Sequence, residues 1–278
     1  MNKGIQETFA LPFVYALLES KEQTAYSKVF QITQELIQKN KIHFILPQII
    51  MSDFELAIVN AAEDNFGKIV RCCLFHLCQN IFRRVQNEGL QQQYNDENDR
   101  SIKHATQMMC ALTFVPPNRV SEFFDILVDD IPEDFDHVAD YFEVTYVRGK
   151  AARGRRRAVN VRYPPKIWNQ YDAVLQNISR TNNASEGWHN RFRVVTGRDH
   201  PSLYAFFREL QNEQGDTDTM LRQLSIGQII KKSRDKKRQM MEDRIFNIVN
   251  SYETFLQKDN ILGYLKAIGY HLLLITIF

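Results

Sequence analysis

No apolar run in this chain approaches the ~20 residues that a helix needs to cross a bilayer. The strongest, His271-Leu-Leu-Leu-Ile-Thr-Ile-Phe278, reads as a buried terminal strand or as a tail from an altered reading frame, and no membrane partner is expected. Cysteine is scarce: four residues, of which Cys72, Cys73 and Cys78 fall within seven positions and only Cys110 stands apart. That crowding excludes a spaced disulfide framework, and with no secretory leader at Met1 a reducing intracellular setting is expected. Internal repeats, low-complexity tracts and the spaced ligands of a DNA-reading zinc finger are all missing. Charge of one sign is not in excess either: 35 Lys and Arg against 33 Asp and Glu leave a formal +2, so net charge does not name a partner.

What is present is the make-up of a folded domain. Hydrophobic residues at 44% and charged residues at 24% of 278 exclude wholesale disorder and provide for a sizeable core. Along the chain, Thr8 to Leu18 reads as a strand, and Tyr26, Val29, Phe30, Thr33, Leu36 and Ile37 recur at helical spacing on a helix that ends near Asn40 and should lie against a sheet. Gln48 to Asp53 is a short buried strand ending in an acid, followed by a helix through Phe54, Ala57, Ile58, Ala61 and Ala62. Ile69 to Leu74 is the next strand, and His76 opens a further helix. Strand and helix in alternation predict an α/β sheet. From Leu90 to Ser179 the stripes are helical with no clear strand, and helices return at Ala184–Val195, Leu203–Leu210 and Lys236–Gln257.

Charge is segregated locally. Glu122 to Glu143 holds nine acids and no Lys or Arg, whereas Arg148 to Arg162 holds seven bases and no acid. Arg148, Lys150, Arg153, Arg155, Arg156 and Arg157 are candidate contacts to DNA phosphates; a solvated loop, or pairing with the acidic stretch, are the other readings of the same run. Lys231 to Arg238 is a second basic block, readable as an import signal, a phosphate contact or the polar start of a helix.

Two acids are placed for chemistry. Asp53 at the end of a buried strand faces the sheet edge where α/β folds bind ligands, although an aspartate there equally suits the N-cap of the next helix. Glu186 follows Asn183 at capping-box spacing, and on a helix it shares a face with His189 and Arg193, opposite Ala184, Trp188, Phe192 and Val195. Carboxylates from separate elements are what two divalent ions require in phosphodiester chemistry. Cys73 and His76 form one thiol and imidazole pair, short of the four ligands of a structural zinc, so zinc is not expected.

Leu11-Pro-Phe-Val-Tyr-Ala-Leu-Leu18, Asp53-Phe-Glu-Leu-Ala57, Cys73-Leu-Phe-His76-Leu-Cys-Gln79, Leu112-Thr-Phe-Val-Pro116 and Arg180-Thr-Asn-Asn-Ala-Ser-Glu-Gly-Trp-His189 together resemble, in order and spacing, Mutator-like (MULE) transposase domains of the DDE type. The resemblance spans roughly Leu11 to Gln214. It implies a ribonuclease H-like α/β fold with a long all-helical insertion and a helical C-terminal part. The expected boundaries are 1–89 for the α/β part, 90–179 for the insertion, 180–215 for the return helices and 216–278 for the extension.

In that likeness Asp53 and Glu186 are the second and third catalytic acids and metal ligands, and Cys73, His76 and His189 an auxiliary motif. The implied partners are transposon-end and target DNA in the nucleus, and a homo-oligomer is admitted. The family's first acid lies on an earlier strand, in an Asp-Gly-Thr-Phe-like segment. Residues 1–52 contain no aspartate. The sheet is therefore expected to lack its first strands, the two-magnesium site to need that acid restored, and the chain as written not to catalyse transposition. A non-catalytic DNA-binding or protein-interaction module is the alternative.

Overall fold

Tyr26, Phe30, Thr33 and Ile37 stand three and four residues apart, and they form the inner face of α1 (Gln23–Lys39) in the computed structural model. The structure describes residues 11–43, 45–152, 154, 157–176, 178, 183–196, 202–228 and 236–272. They fall into two compact units, Ser20–Thr181 with Asp235–Phe278, and Met1–Glu19 with Asn182–Arg234.

In the larger unit β1 (Ile50–Ser52) and β2 (Val70–Cys72) pair in parallel, Ile50 opposite Val70 and Ser52 opposite Cys72. They are joined through α2 (Leu56–Phe66), and α3 (Leu74–Asn87) follows β2. The α/β alternation read from the sequence is present, reduced among the described residues to a two-stranded sheet. Contrary to expectation α1 lies along α2, with Phe30 edge-on to Phe66 at 5.3 Å. Strands of three residues rise only about 10 Å, too short to seat a helix of about 25 Å.

Residues 11–18, expected to be a strand, carry no regular structure; Thr8 to Ala10 lie outside the described residues. Pro12 has no N–H to donate to a ladder. Instead Tyr15 meets Trp188 within the smaller unit, ring centroids 5.4 Å apart.

After α3 come α4 (Gln91–Tyr94), α5 (Ser101–Ala111), α6 (Val120–Val128) and α7 (Asp136–Phe142). A π-turn over Glu143–Val147 is followed by α8 (Pro165–Trp168) and α9 (Tyr171–Leu175). The smaller unit holds α10 (Asn183–Thr196) and α11 (Leu203–Ser225), the latter nearly three times the expected length. The larger unit resumes with α12 (Lys236–Asn250), α13 (Tyr252–Gln257) and α14 (Ile261–Leu272). His271 and Leu272 thus end a helix rather than open a strand, and 273–278 lie outside the described residues.

One core runs through the larger unit, with Phe114, Phe123, Phe135, Phe142, Tyr146, Trp168 and Tyr264 fully buried. Helix α14 packs closely on α5: a Cβ at Gly269 would stand 3.1 Å from the Gln107 side chain. The Tyr264 hydroxyl donates to the Phe114 carbonyl at 2.5 Å. The helical stretch also closes one side of the sheet. The buried Gln170 amide donates to the Cys72 carbonyl at 3.3 Å, and its own backbone N–H donates to Thr113 at 2.7 Å. The outer edge of β2 is therefore occupied, whereas by ladder period the Met51 N–H and C=O point away from β2.

Within this helical stretch one antiparallel bridge joins Lys150 and Val159, which exchange two backbone bonds of 2.8 Å. Gly149 makes the turn possible: its φ is +77°, and a Cβ there would fall 2.1 Å from the Val159 carbonyl oxygen. Gly149→Ala is expected to cost about 1–3 kcal/mol in a denaturant titration and to strip hydrogen-exchange protection from the Lys150 and Val159 amides. Retained protection would show that the turn tolerates a side chain.

Candidate active site

Asp53 directly follows β1. The helix-cap reading does not hold for it, because α2 begins at Leu56 and its cap position is Glu55, which makes no side-chain cap bond. Glu55 is occupied by α1, accepting a 3.0 Å bond from the Tyr26 hydroxyl. The Asp53 carboxylate is 53% exposed at the C-terminal end of two parallel strands, the edge where such sheets bind ligands. Its backbone is pinned: the carbonyl accepts from Ser52 Oγ at 3.1 Å and lies 3.8 Å from Cys72 Sγ.

His76 stands in the first turn of α3 and brings Nδ1 to 3.1 Å from Asp53 Oδ1. The helix opens at Leu74 rather than at His76, with buried Cys73 at its cap position and the Cys73 N–H donating to the Ser52 carbonyl at 2.9 Å. The sequence pair Cys73 and His76 thus has two jobs: Cys73 closes the strand ladder and His76 faces the acid. Burial pushes the neighbouring Cys72 thiol up to about 12. It is protonated at neutral pH and packs as an apolar group. Among the described residues, no three His, Cys, Asp or Glu side chains form a metal-holding cluster.

Behind Asp53, the Phe54 ring sits edge-on to Tyr146 at 5.5 Å and to Tyr163 at 5.0 Å. The Tyr163 hydroxyl donates to the Phe54 carbonyl at 2.7 Å. Tyr163 and Gln170 had no local signal in the sequence, because each reaches the sheet across about a hundred residues of helical chain.

Glu186 falls in the first turn of α10; its side chain, and Arg180 to Asn182 before it, lie outside the described residues. Along the same helix His189 and Arg193 are exposed and Phe192 is buried, but Val195, expected inside, is 49% exposed. Trp188 stacks on Phe192 at 4.9 Å, and its indole N–H donates to the buried carboxylate of Glu213 at 2.9 Å. Arg191 bonds the same oxygen. Glu213 went unnoticed in the sequence, yet Phe206, Leu210, Glu213 and Thr217 share one face of α11, and an acid on an apolar stripe is the signal of a buried clamp.

Of the basic run, Arg148 is held by acids. It forks onto Asp125 at 2.5 and 2.9 Å, reaches Glu143 at 2.6 Å and lies over the Phe124 ring. The acidic stretch and the arginine run therefore meet within the fold at this residue. Lys150 and Arg157 are exposed; Lys150 lines a cavity of about 280 Å³ with Arg84, His137, Asp140 and Tyr141. Arg153, Arg155 and Arg156 lie outside the described residues, as do Lys231 to Asp235.

The fork carries a pH dependence. Hydrogen bonding from Arg148 holds the Asp125 carboxyl below its ordinary value. A depressed folded-state pKa gives stability that is present above the unfolded value, near 3.9, and is lost as pH falls through the folded one. Arg148→Ala is expected to lower Tm modestly at pH 7, since both partners are partly solvated, and to flatten the decline of Tm below about pH 4. An unchanged acid limb would show that the fork is not formed in solution.

A carboxylate at the open end of parallel strands, facing a histidine on the next helix, is an α/β arrangement suited to a metal-dependent site. The comparison with known families is narrower. Residues 6–80 match the MULE transposase domain, a stretch that contains Asp53, Cys73 and His76. Glu186 and His189 lie beyond the matched residues. No curated protein and no solved structure matches the chain. No helix among the described residues is long and apolar enough to cross a membrane.

Proposed function

We propose that the chain is the part of a DDE-type MULE transposase that supplies the second and third acids, on a ribonuclease H-like fold, for metal-dependent DNA cleavage and strand transfer. The observation that carries this reading is the Asp53 carboxylate at the strand ends, 3.1 Å from His76 and inside the stretch that matches the family. The covered edge of β2 and the outward-facing Met51 backbone fit a larger sheet that grows beyond β1. An acid-bearing strand placed there would stand next to Asp53.

Asp53 fits a Mg2+ ligand by chemistry and setting: a hard oxygen donor, half exposed and not consumed as a helix cap. Glu186 is assigned the same role on its motif. A bound pair of Mg2+ ions supplies activation of the attacking oxygen and stabilisation of the leaving oxygen. This chain's residues orient the ligand: His76 faces the carboxylate, and the Ser52 and Cys72 side chains fix its backbone. DNA is the partner and the nucleus the place of action. Lys150 and Arg157 are offered for phosphate contact, together with Arg153, Arg155 and Arg156, while Arg148 serves the fold first.

Residues 1–52 contain no aspartate, and this favours a second behaviour for the 278 residues on their own: DNA binding without catalysis. The test joins the chain to an upstream Asp-Gly-Thr-Phe-like strand segment and supplies a duplex oligonucleotide with a free 3' hydroxyl, a plasmid target and Mg2+ or Mn2+. The expected result is joined product with the added segment and salt-sensitive DNA binding without it. Binding in both forms and joining in neither would leave the binding module as the function. Binding in neither form would end both readings.

A further inference from the structure

Asp53 is served by one group that no sequence motif marks. We propose that Tyr163 is a positioning residue for Asp53, acting through the Phe54 peptide from the helical stretch that follows the α/β part. This rests on the assignment of Asp53 as a metal ligand. Tyr163 is buried, and its hydroxyl donates at 2.7 Å to the carbonyl of Phe54, the residue that follows the acid. Its ring lies edge-on to Phe54 at 5.0 Å and stacks on Tyr146 at 5.8 Å.

Tyr163 is itself anchored. Its backbone N–H donates to Thr145 at 2.9 Å, and its carbonyl accepts from the fully buried Trp168 indole at 2.9 Å. The chain of contacts runs Trp168, Tyr163, Phe54, Asp53, with two directional bonds and one peptide along it. Burial raises the Tyr163 phenol above its ordinary value, which keeps the O–H available as a donor. A carboxylate at the end of a three-residue strand has little ladder to hold it, so a bond to the following carbonyl limits rotation of the Asp53–Phe54 segment toward or away from His76. Side chains one step behind a metal ligand commonly set its affinity in this way.

The test uses the full chain with Tyr163→Phe, which removes the hydroxyl and keeps the ring. Tyr141→Phe serves as control, since its hydroxyl meets the Tyr146 hydroxyl, at 3.4 Å, in the same aromatic cluster rather than a carbonyl beside the acid. The readouts are the 13C shift of the Asp53 carboxylate carbon, the 15N shift of His76 Nδ1, and Mn2+ broadening of the His76 ring signals. Tyr163→Phe should move both shifts and weaken the Asp53-dependent Mn2+ effect by about tenfold, while Tyr141→Phe leaves them in place at similar Tm. Shifts unmoved by Tyr163→Phe, or moved equally by the control, overturn the proposal. Mn2+ broadening that survives Asp53→Asn sinks the metal assignment alone, because the shift comparison still decides whether Tyr163 holds the acid.

Discussion

Trp168→Ala is expected to be the most damaging single substitution in the larger unit, lowering stability by roughly 5–7 kcal/mol. The indole is fully buried, and truncating a buried Trp removes its transfer energy and leaves a cavity, about 3–5 kcal/mol together. Its N–H also satisfies two carbonyls, Tyr146 at 3.1 Å and Tyr163 at 2.9 Å. Each buried acceptor left unmet adds about 1 kcal/mol. Against a total of about 5–15 kcal/mol for an ordinary domain, this is a large fraction. Tm should drop by roughly 10–28 °C in a thermal melt, with loss of near-ultraviolet aromatic signal. Trp168→Phe, which keeps most of the volume and gives up the two bonds, should fall about half as far. Equal effects of the two variants would mean that the bonds, not the packing, carry the site.

Trp168 matters beyond stability because it anchors the residue that reaches back to the sheet, and this is also where sequence reasoning stopped. Helices α1, α2, α3 and the long run of helices after Leu90 were legible because their apolar residues keep a spacing of three and four over several turns. Asp53 was legible because it ends an apolar run and begins a polar turn. Whether it capped the next helix was not, since that depends on where α2 starts, and α2 starts at Leu56 with Glu55 at its cap position bonded to Tyr26 of α1. Residues 11–18 have the apolar content of a strand. A strand also needs a neighbour, and composition does not show whether one is present.

The contacts that fix the site were the least legible. Tyr163 to Phe54 spans 109 positions and Gln170 to Cys72 spans 98. Both donors sit in stretches whose local character, basic before Tyr163 and short-helical around Gln170, points to surface loop. A periodic reading reports which face of an element is apolar and carries no information about which distant carbonyl a polar group will satisfy. Arg148 is the opposite case: segregated charge made its pairing with the acidic stretch one of the open readings, and the fork onto Asp125 is the form it takes.

In a protein that carries the upstream acid, Asp53→Asn is expected to reduce strand transfer by about a thousandfold or more. The substitution keeps the shape and removes the negative charge. A metal's stabilisation of developing charge is worth several kcal/mol, and each 1.36 kcal/mol is a factor of about ten in rate. Stability should hardly change, because the carboxylate is 53% exposed and caps no helix. DNA affinity and its salt slope should also be retained, since the basic residues proposed for phosphate contact lie elsewhere in the chain. His76→Ala should lie between wild type and Asp53→Asn, at about 10–100-fold, the range for groups that orient a metal ligand. The measurement is joined product against time in Mg2+ and in Mn2+, with DNA binding and Tm taken on the same preparations. A protein in which Asp53→Asn joins DNA at the wild-type rate has its metal elsewhere. One in which His76→Ala is as inactive as Asp53→Asn uses the histidine directly rather than through the acid.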